Sequence, residues 1–165
     1  MDLLKILAPL ADFEANLGNL YAIFSEKFAA EDREASELFE KMAIEERSHR
    51  DMVNCEKRTV EADREAFGET DADLTIVLQG LARIETMRKA AVSGKVTVDE
   101  AVQFALYIED SACESYLFDA LRKSNERFHG LMKNLADQSR DHELRIRKFA
   151  EARGLISRTS MPARQ

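Results

Sequence analysis

Three glutamates and two histidines stand on apolar stripes of helical periodicity, at positions where hydrophobic side chains are expected. These five residues are Glu14, Glu46, His49, Glu109 and His142. An ionised carboxylate in a dry core costs on the order of several kcal/mol unless it is paired or bound to a metal. Two imidazoles alone can hardly satisfy three such carboxylates, whereas a pair of divalent cations would neutralise them. The residue types therefore predict a metal site inside a helical core.

The same residue types recur along the chain at a nearly constant spacing. Glu14 is followed after seven residues by Tyr21, and Glu109 is followed after seven residues by Tyr116. The second Glu–Tyr pair lies 95 residues after the first, and the second histidine of the set lies 93 residues after the first. This pseudo-repeat predicts two pairs of helices whose polar residues surround one centre.

Each of these residues has a simpler explanation when it is considered alone. A glutamate in an apolar stripe can lie at the boundary with solvent, and a single core histidine is usually held by ordinary hydrogen bonds. The two tyrosines could donate hydrogen bonds to the carboxylates from one helical layer away, or they could be core aromatics. Cys113 fits a small core residue, and His129 fits a surface position beside Gly130. The combination of residues, rather than any one of them, indicates a metal site.

Hydrophobic periodicity indicates the elements that must position these residues. The sequence has only 6 Gly and 2 Pro, and it lacks the alternating β-branched runs that mark strands. Five helices are predicted, over residues 9–29, 31–67, 73–92, 97–124 and 125–153. The predicted helix over residues 73–92 lies in a long crossover that connects the helix over 31–67 to the helix over 97–124. The other four helices form the bundle. This order predicts an all-α, ferritin-like four-helix bundle over residues 1–155 and a flexible tail over residues 156–165.

Several residues are typical of helix ends. Pro9 suits the first turn of a helix, so that residues 1–8 form either a separate short turn or a leading helical turn. Thr97 and Glu100 have the spacing of a capping box. Three glycines are predicted to end helices, namely Gly68, Gly94 and Gly154.

The charge distribution argues against a nucleic-acid partner. The formal net charge is −7, and the chain has no uninterrupted block of basic residues. A basic cluster near the end consists of Arg140, Arg145, Arg147, Lys148 and Arg153. Because Asp141, Glu143 and Glu151 are interleaved with it, this cluster is predicted to be a solvated helix face.

Cysteine usage and the first residues bear on the compartment. Two cysteines, Cys55 and Cys113, are too few for a disulfide scaffold and do not form a CxxC pair, which excludes a rubredoxin-type or zinc-ribbon module. The apolar run at the start is interrupted by Pro9 and Asp12, and it is too short for a signal peptide or a membrane span. The sequence therefore predicts a cytoplasmic protein without a membrane partner.

Four segments resemble the rubrerythrin branch of the ferritin-like superfamily. They are EANLGNLY (14–21), FEKMAIEERSH (39–49), EDSACESY (109–116) and LADQSRDH (135–142). The resemblance implies a di-iron site built from one Glu on each of two helices and a Glu-x-x-His on each of the other two. Carried over to this chain, Glu14 and Glu109 are the single carboxylates, while Glu46 and His49 form one complete Glu-x-x-His.

The second Glu-x-x-His of the pattern is incomplete in this chain. Ser139 stands where the family has Glu, three residues before His142, and the neighbouring Gln138 is uncharged. The resemblance thus implies two iron ions of which one is held weakly, with manganese as an alternative metal. Ala112 replaces an additional Glu that rubrerythrins associate with redox-linked iron movement, which argues against peroxidase-type cycling. The rubredoxin electron-transfer module of that family is also missing.

Two functions remain open from the sequence. In the first, the chain is a metal-binding, rubrerythrin-like protein whose two iron ions, bridged by Glu46 or Glu109, oxidise iron or reduce peroxide or dioxygen. In the second, it is a ferritin-like bundle that has lost catalysis and serves as a structural or interaction protein, which Ser139 favours. Whether the chain is an enzyme is open. The resemblance further implies a homodimer and an electron donor that the sequence does not identify.

Overall fold

The computed structural model describes residues 2–67, 74–110 and 129–156. These residues form five α-helices, namely α1 Leu4–Phe28, α2 Arg33–Ala62, α3 Thr75–Val92, α4 Val98–Asp110 and α5 His129–Ala152. No strand occurs in the described ranges, so the all-α prediction is confirmed for them. The ferritin-like topology and the domain limits stay predictions, and residues 157–165 of the predicted tail lie outside the described residues.

Of the two possibilities for the residues before Pro9, a separate turn or a leading helical turn, the structure has the leading helical turn. Helix α1 runs from Leu4, and Pro9 lies inside it. The proline ring removes one backbone hydrogen bond from the second turn, but the N-cap and the first two turns carry side chains that bury almost completely. These are Leu3, Ile6, Leu7 and Leu10, each at most 1% exposed. Their burial explains why the leading turn is part of the helix despite the proline.

Helix α2 begins close to its predicted start but ends five residues early. Asp32 is the N-cap, and its side chain accepts a hydrogen bond from the Ala35 N–H at 3.0 Å. The helix ends at Ala62, because Asp63 leaves the helical backbone conformation, and a short 3₁₀ turn follows over Arg64–Ala66. The change of direction buries the Phe67 ring, which is 8% exposed. Gly68, the predicted stop, lies outside the described residues.

The connection through α3 to α4 follows the predicted pattern where it is described. Gly94 has a φ of +77° just after α3, a left-handed conformation that favours glycine at a helix end. The Thr97–Glu100 capping box is present: the Thr97 N–H donates to Glu100 Oε2 at 2.8 Å, and the Glu100 N–H donates to Thr97 Oγ1 at 3.3 Å. Asp73, the predicted cap of α3, lies outside the described residues, as do residues 111–128.

Helix α5 and the residue that follows it carry the basic cluster, and carboxylates pair with three of the arginines in this cluster. Arg145 bonds to Glu45 of α2, and Arg147 bonds to Glu143 on the same helix. Arg153 bonds to the capping residue Asp32 at the start of α2. The cluster therefore links the C-terminal part of the chain to α2 through two pairs, Arg145–Glu45 and Arg153–Asp32.

Packing between α1 and α2 supports the region in which the polar residues lie. A cluster of four aromatic rings joins the two helices, with centroid separations between 5.0 and 6.5 Å; its members are Tyr21, Phe24, Phe28 and Phe39. Helix α1 also packs against α3, and α5 packs against α4 and α2. None of the helices in the described ranges has the length and apolarity needed to cross a membrane.

Candidate metal centre

The five polar residues singled out from the sequence all lie buried between helices. Glu14 comes from α1, Glu46 and His49 come from α2, and Glu109 and His142 come from α4 and α5. Glu14 and Glu46 are fully buried, His49 and His142 are 1% and 2% exposed, and Glu109 is 8% exposed. The structure therefore brings together the whole candidate set from four different helices.

A glycine permits the close approach of α1 and α2 at this level. Gly18 lies one turn after Glu14, and a Cβ at this position would stand 3.0 Å from Glu46 Cβ and 3.4 Å from the Ala43 carbonyl oxygen. A side chain here would press on Glu46, so glycine at position 18 lets the two helices approach this closely without displacing that carboxylate. The local sequence thus places the carboxylates of Glu14 and Glu46 in the same region.

Glu46 occupies the centre of the arrangement. Its Oε2 lies 3.0 Å from His49 Nδ1, and its Oε1 lies 3.0 Å from His142 Nδ1. The two imidazole rings are nearly parallel, with centroids 5.1 Å apart. On the outer sides, Glu14 Oε2 lies 3.7 Å from His49 Nδ1 and Glu109 Oε2 lies 3.7 Å from His142 Nδ1. The site is thus roughly two-fold, with one carboxylate shared and one on each side.

Each imidazole also has a hydrogen-bond partner at Nε2, the ring nitrogen that faces away from Glu46. His49 Nε2 lies 2.8 Å from Gln138 Oε1, and His142 Nε2 lies 3.0 Å from Glu45 Oε2. Since both partner atoms are acceptors, each Nε2 carries the proton, and each Nδ1 faces the central carboxylate. The sequence analysis missed Glu45 and the contact made by Gln138. Neither residue carried a sequence signal for its contact, because each contacts the histidine of the other helix.

Tyr21 binds Glu109, one of the two carboxylates that flank Glu46. Its hydroxyl donates a hydrogen bond to Glu109 Oε1 at 2.8 Å, from a ring that is fully buried. Tyr21 is therefore both a core aromatic and a hydrogen-bond donor to the site. Tyr116, its counterpart in the pseudo-repeat, lies outside the described residues. Ser139 is part of α5, and its side chain is likewise outside the described set.

Burial and pairing set the charges of the central groups. Burial opposes ionisation of Glu46, but the contacts with His142 and His49 outweigh it and lower the pKa of this carboxyl to about 2. Burial also opposes protonation of His49, yet Glu14 and Glu46 raise its pKa to about 10. Without metal, the imidazoles are therefore protonated and offset part of the carboxylate charge.

Burial and pairing also shift the pKa values of Glu109, Glu45 and His142. Burial raises the pKa of Glu109, and the negative charge of Glu46 adds to this effect. Burial opposes ionisation of Glu45 as well, but His142 and Arg145 lower the pKa of its carboxyl to about 2. The pKa of His142 is raised because its contacts with Glu109, Glu45 and Glu46 outweigh the effect of burial. Of Glu45 and Glu109, Glu45 is therefore the carboxylate whose negative charge is favoured.

The donor atoms fit a metal ion. Glu46, His49 and His142 each offer one ligand atom, and these atoms lie within 4.8 Å of one another. Within the described part of the chain, Glu46 Oε1, Glu109 Oε2 and His142 Nδ1 are buried without a well-directed hydrogen bond. Buried polar atoms normally have such a bond, and a cation satisfies them equally well. Carboxylate oxygen and imidazole nitrogen are ligands that suit iron, manganese and zinc.

Comparisons with known proteins do not add a family to this description. No protein-family model, curated protein or solved structure matches the chain. The assignment therefore depends on the residues themselves: a buried group of Glu46, His49 and His142 that is a potential metal-binding site in an all-α protein.

Proposed function

We propose that this protein is a metal-binding, rubrerythrin-like helical bundle that holds two metal ions, iron in the first place, around Glu46. The observation that carries the proposal is the shared carboxylate: Glu46 faces His49 Nδ1 and His142 Nδ1 at the same distance of 3.0 Å. A carboxylate with two equivalent imidazole nitrogens on its two oxygens has the donors needed to bridge two cations.

The remaining carboxylates assign a set of ligands to each ion. Glu14 and His49 would hold the ion on one side, Glu109 and His142 would hold the ion on the other, and Glu46 would be shared. The 3.7 Å contacts from Glu14 to His49 and from Glu109 to His142 support this division. Tyr21 would keep Glu109 oriented through its hydroxyl, since a hydrogen-bonded ligand needs less ordering when the metal binds.

Charge determines how firmly two ions can be held. Three carboxylates carry a charge of −3, so one divalent ion leaves the site at −1 and two leave it at +1, if both imidazoles are neutral. A Glu at position 139, where the rubrerythrin pattern has one and this chain has Ser139, would bring the two-ion site to zero. We therefore propose unequal affinities, with the ion beside His142 held more weakly.

Iron held by carboxylates and imidazoles supplies redox chemistry with dioxygen or peroxide. The proposed reaction class is the oxidation of ferrous iron or the reduction of peroxide or dioxygen. The residues of this chain would bind and orient the ions, and the aromatic rings of α1 and α2 would limit the access of water on one side.

One observation favours a second candidate, a bundle without metal chemistry. The protonated imidazoles of His49 and His142 already pair with Glu46 at 3.0 Å, so that the core charges are largely balanced in the absence of metal. In that case, the polar centre would contribute only to the specificity of helix packing, as buried ion pairs do in some proteins.

A titration distinguishes the two functions. Protein purified without chelator is titrated anaerobically with ferrous iron or manganese, and heat of binding and metal content are measured. The proposal predicts one tight and one weaker site. Glu46→Gln, which removes the shared charge and keeps the shape, should weaken both sites by at least about 10-fold.

The control variant Glu143→Gln removes a carboxylate next to His142 that pairs with Arg147, and it should bind metal like the wild type. If neither metal binds the wild type, the metal-free bundle is the better description. Two sites of equal affinity would contradict the proposed role of position 139.

A further inference from the structure

The two imidazoles exchange their outer hydrogen-bond partners between helices. Glu45 of α2 lies four residues before His49, but it contacts His142 of α5. Gln138 of α5 lies four residues before His142, but it contacts His49 of α2. Each helix therefore supplies one histidine to the centre and one acceptor to the histidine of the other helix. This crossed arrangement fixes both rings with Nδ1 inward.

The two acceptors are equivalent in position and different in charge. Gln138 offers a neutral amide oxygen at 2.8 Å. Glu45 offers a carboxylate at 3.0 Å, and Arg145 binds both of its oxygens, so the carboxylate is oriented and held in its charged form. A carboxylate acceptor makes an imidazole a stronger metal ligand than an amide acceptor does, because it draws the Nε2 proton and increases the electron density at Nδ1.

The charged acceptor occurs on the side of the site that lacks a ligand. His142 is the histidine whose partner position three residues earlier holds Ser139 instead of a carboxylate. Glu45 adds a negative charge to that same side through Nε2 of His142. Its side chain is 28% exposed, so the charge is only partly screened by solvent.

We propose that Glu45 is a positioning residue that strengthens His142 as a metal ligand and compensates for the carboxylate missing at position 139. This inference rests on the proposed metal-binding function. It makes the weaker of the two metal positions dependent on a residue that does not itself contact the metal.

The test compares Glu45→Gln with the wild type in titrations with manganese, and with cobalt(II) as a spectroscopic probe. Glutamine keeps an acceptor oxygen at the same place and removes the charge. We expect the weaker site to lose about 10-fold in affinity and the visible cobalt bands to shift, while the tighter site changes little. Glu143→Gln, which removes a carboxylate of α5 that pairs with Arg147, should change neither measurement.

Two further variants separate an effect on His142 from a loss of the link between α2 and α5. Arg145→Gln breaks the same interhelical pair but leaves the Glu45 carboxylate beside Nε2 of His142, so it should weaken the site much less than Glu45→Gln does. Gln138→Glu gives His49 a charged acceptor and should tighten the other site by about 10-fold. The inference is overturned if Glu45→Gln leaves the weaker site and the cobalt bands unchanged, or if Arg145→Gln reproduces its effect. A wild type that binds neither ion would overturn the proposed function and this inference together.

Discussion

Glu46 shows why a buried carboxylate can serve two states of the same protein. Its two oxygens each face an imidazole Nδ1 at 3.0 Å, and a buried carboxylate requires cationic partners of this kind. In the metal-free protein the partners are imidazolium groups, and in the metal-bound protein they would be metal ions. The same oxygen atoms of Glu46 are used in both cases. The proposed function and its alternative therefore differ only in whether metal ions take the place of the Nδ1 protons of the two imidazoles.

At this scale, Ser139→Glu tests the missing ligand. Residues three apart lie on one helix face, so a glutamate at this position can share a metal with His142. The variant should bind the second ion about 10-fold more tightly. Without metal it should melt at a lower temperature than the wild type, because a fourth carboxylate in the core would lack a partner. Thermal melting with and without iron or manganese measures both effects.

The matched variant for this experiment is Ser139→Gln, which has the same size and no charge. It should not gain stability from metal beyond the wild-type gain. If metal changes the melting temperature of none of the three proteins, the two-metal proposal is wrong and the bundle has no metal chemistry.

The sequence predicted the five central residues and missed the two acceptors for a physical reason. Charged or imidazole side chains on apolar stripes are conspicuous, because burial without a partner is costly. Glu45 and Gln138 stand at the flank of their helices, and Glu45 is 28% exposed; such residues resemble ordinary surface residues in any one helix. Only the packing of α2 against α5 shows what they contact.

At the scale of the elements, helix types were predictable and two boundaries were not. The sequence left open whether the residues before Pro9 continue α1, and it placed the end of α2 at Phe67, since local propensity favours both. The structure extends α1 to Leu4 and ends α2 at Ala62. Burial decides both cases: the leading turn of α1 covers the core, and the turn after α2 brings Phe67 inward.

Gly18→Ala tests the approach of α1 to α2. The new methyl group would stand 3.0 Å from Glu46 Cβ, so Glu46 or the helix must move. Overpacking costs about 1–3 kcal/mol, which exceeds the gain of about 1 kcal/mol in helix propensity. We expect a lower free energy of unfolding in urea, together with weaker metal binding because Glu46 is displaced.

Gly130→Ala is the control for this substitution. Gly130 also lies in a helix, and a Cβ there would meet nothing within 4 Å. Propensity alone should then act, and because Gly130 lies in the first described turn of α5, the protein should gain at most about 1 kcal/mol. A Gly18→Ala protein as stable as the Gly130→Ala protein, with unchanged metal affinity, would show that the close approach is not needed.

Asp32 links the start of α2 to α5 and gives a stability change with pH. The hydrogen bonds from Arg153 lower the pKa of this carboxyl below its usual 3.8, against the effect of burial. A lowered folded-state pKa contributes stability that is fully present above pH about 4 and is lost as pH falls through the folded-state value. Asp32→Asn keeps a capping side chain and removes the charge.

Relative to Asp32→Asn, the wild type should therefore be more stable by about 1 kcal/mol at pH 7, the upper range for a partly exposed pair. The difference should disappear as pH falls below 3.8, as urea unfolding at a series of pH values would show. A difference that is the same at pH 7 and at pH 3 would mean that the ion pair with Arg153 contributes nothing.

At the scale of the whole molecule, the pseudo-repeat explains why so much of the site could be predicted. Equivalent residues in two halves of a chain are brought to one centre when the halves pack in a similar way. Glu14 and Glu109, on α1 and α4, lie on opposite sides of Glu46, each 3.7 Å from a different histidine. The residues and the resemblance predict two ions, whereas the affinity for the second depends on the net charge of the assembled centre.

Anomalous X-ray diffraction from crystals soaked in manganese or ferrous iron tests the central claim most directly. The account predicts one strong peak within about 2 Å of ligand atoms from Glu46 and one imidazole, and a second, weaker peak on the side of His142. In the metal-free crystal, neither peak should be present. If the soaked crystal shows no peak beside Glu46, or shows peaks only at surface carboxylates, the buried glutamates and histidines are not a metal centre.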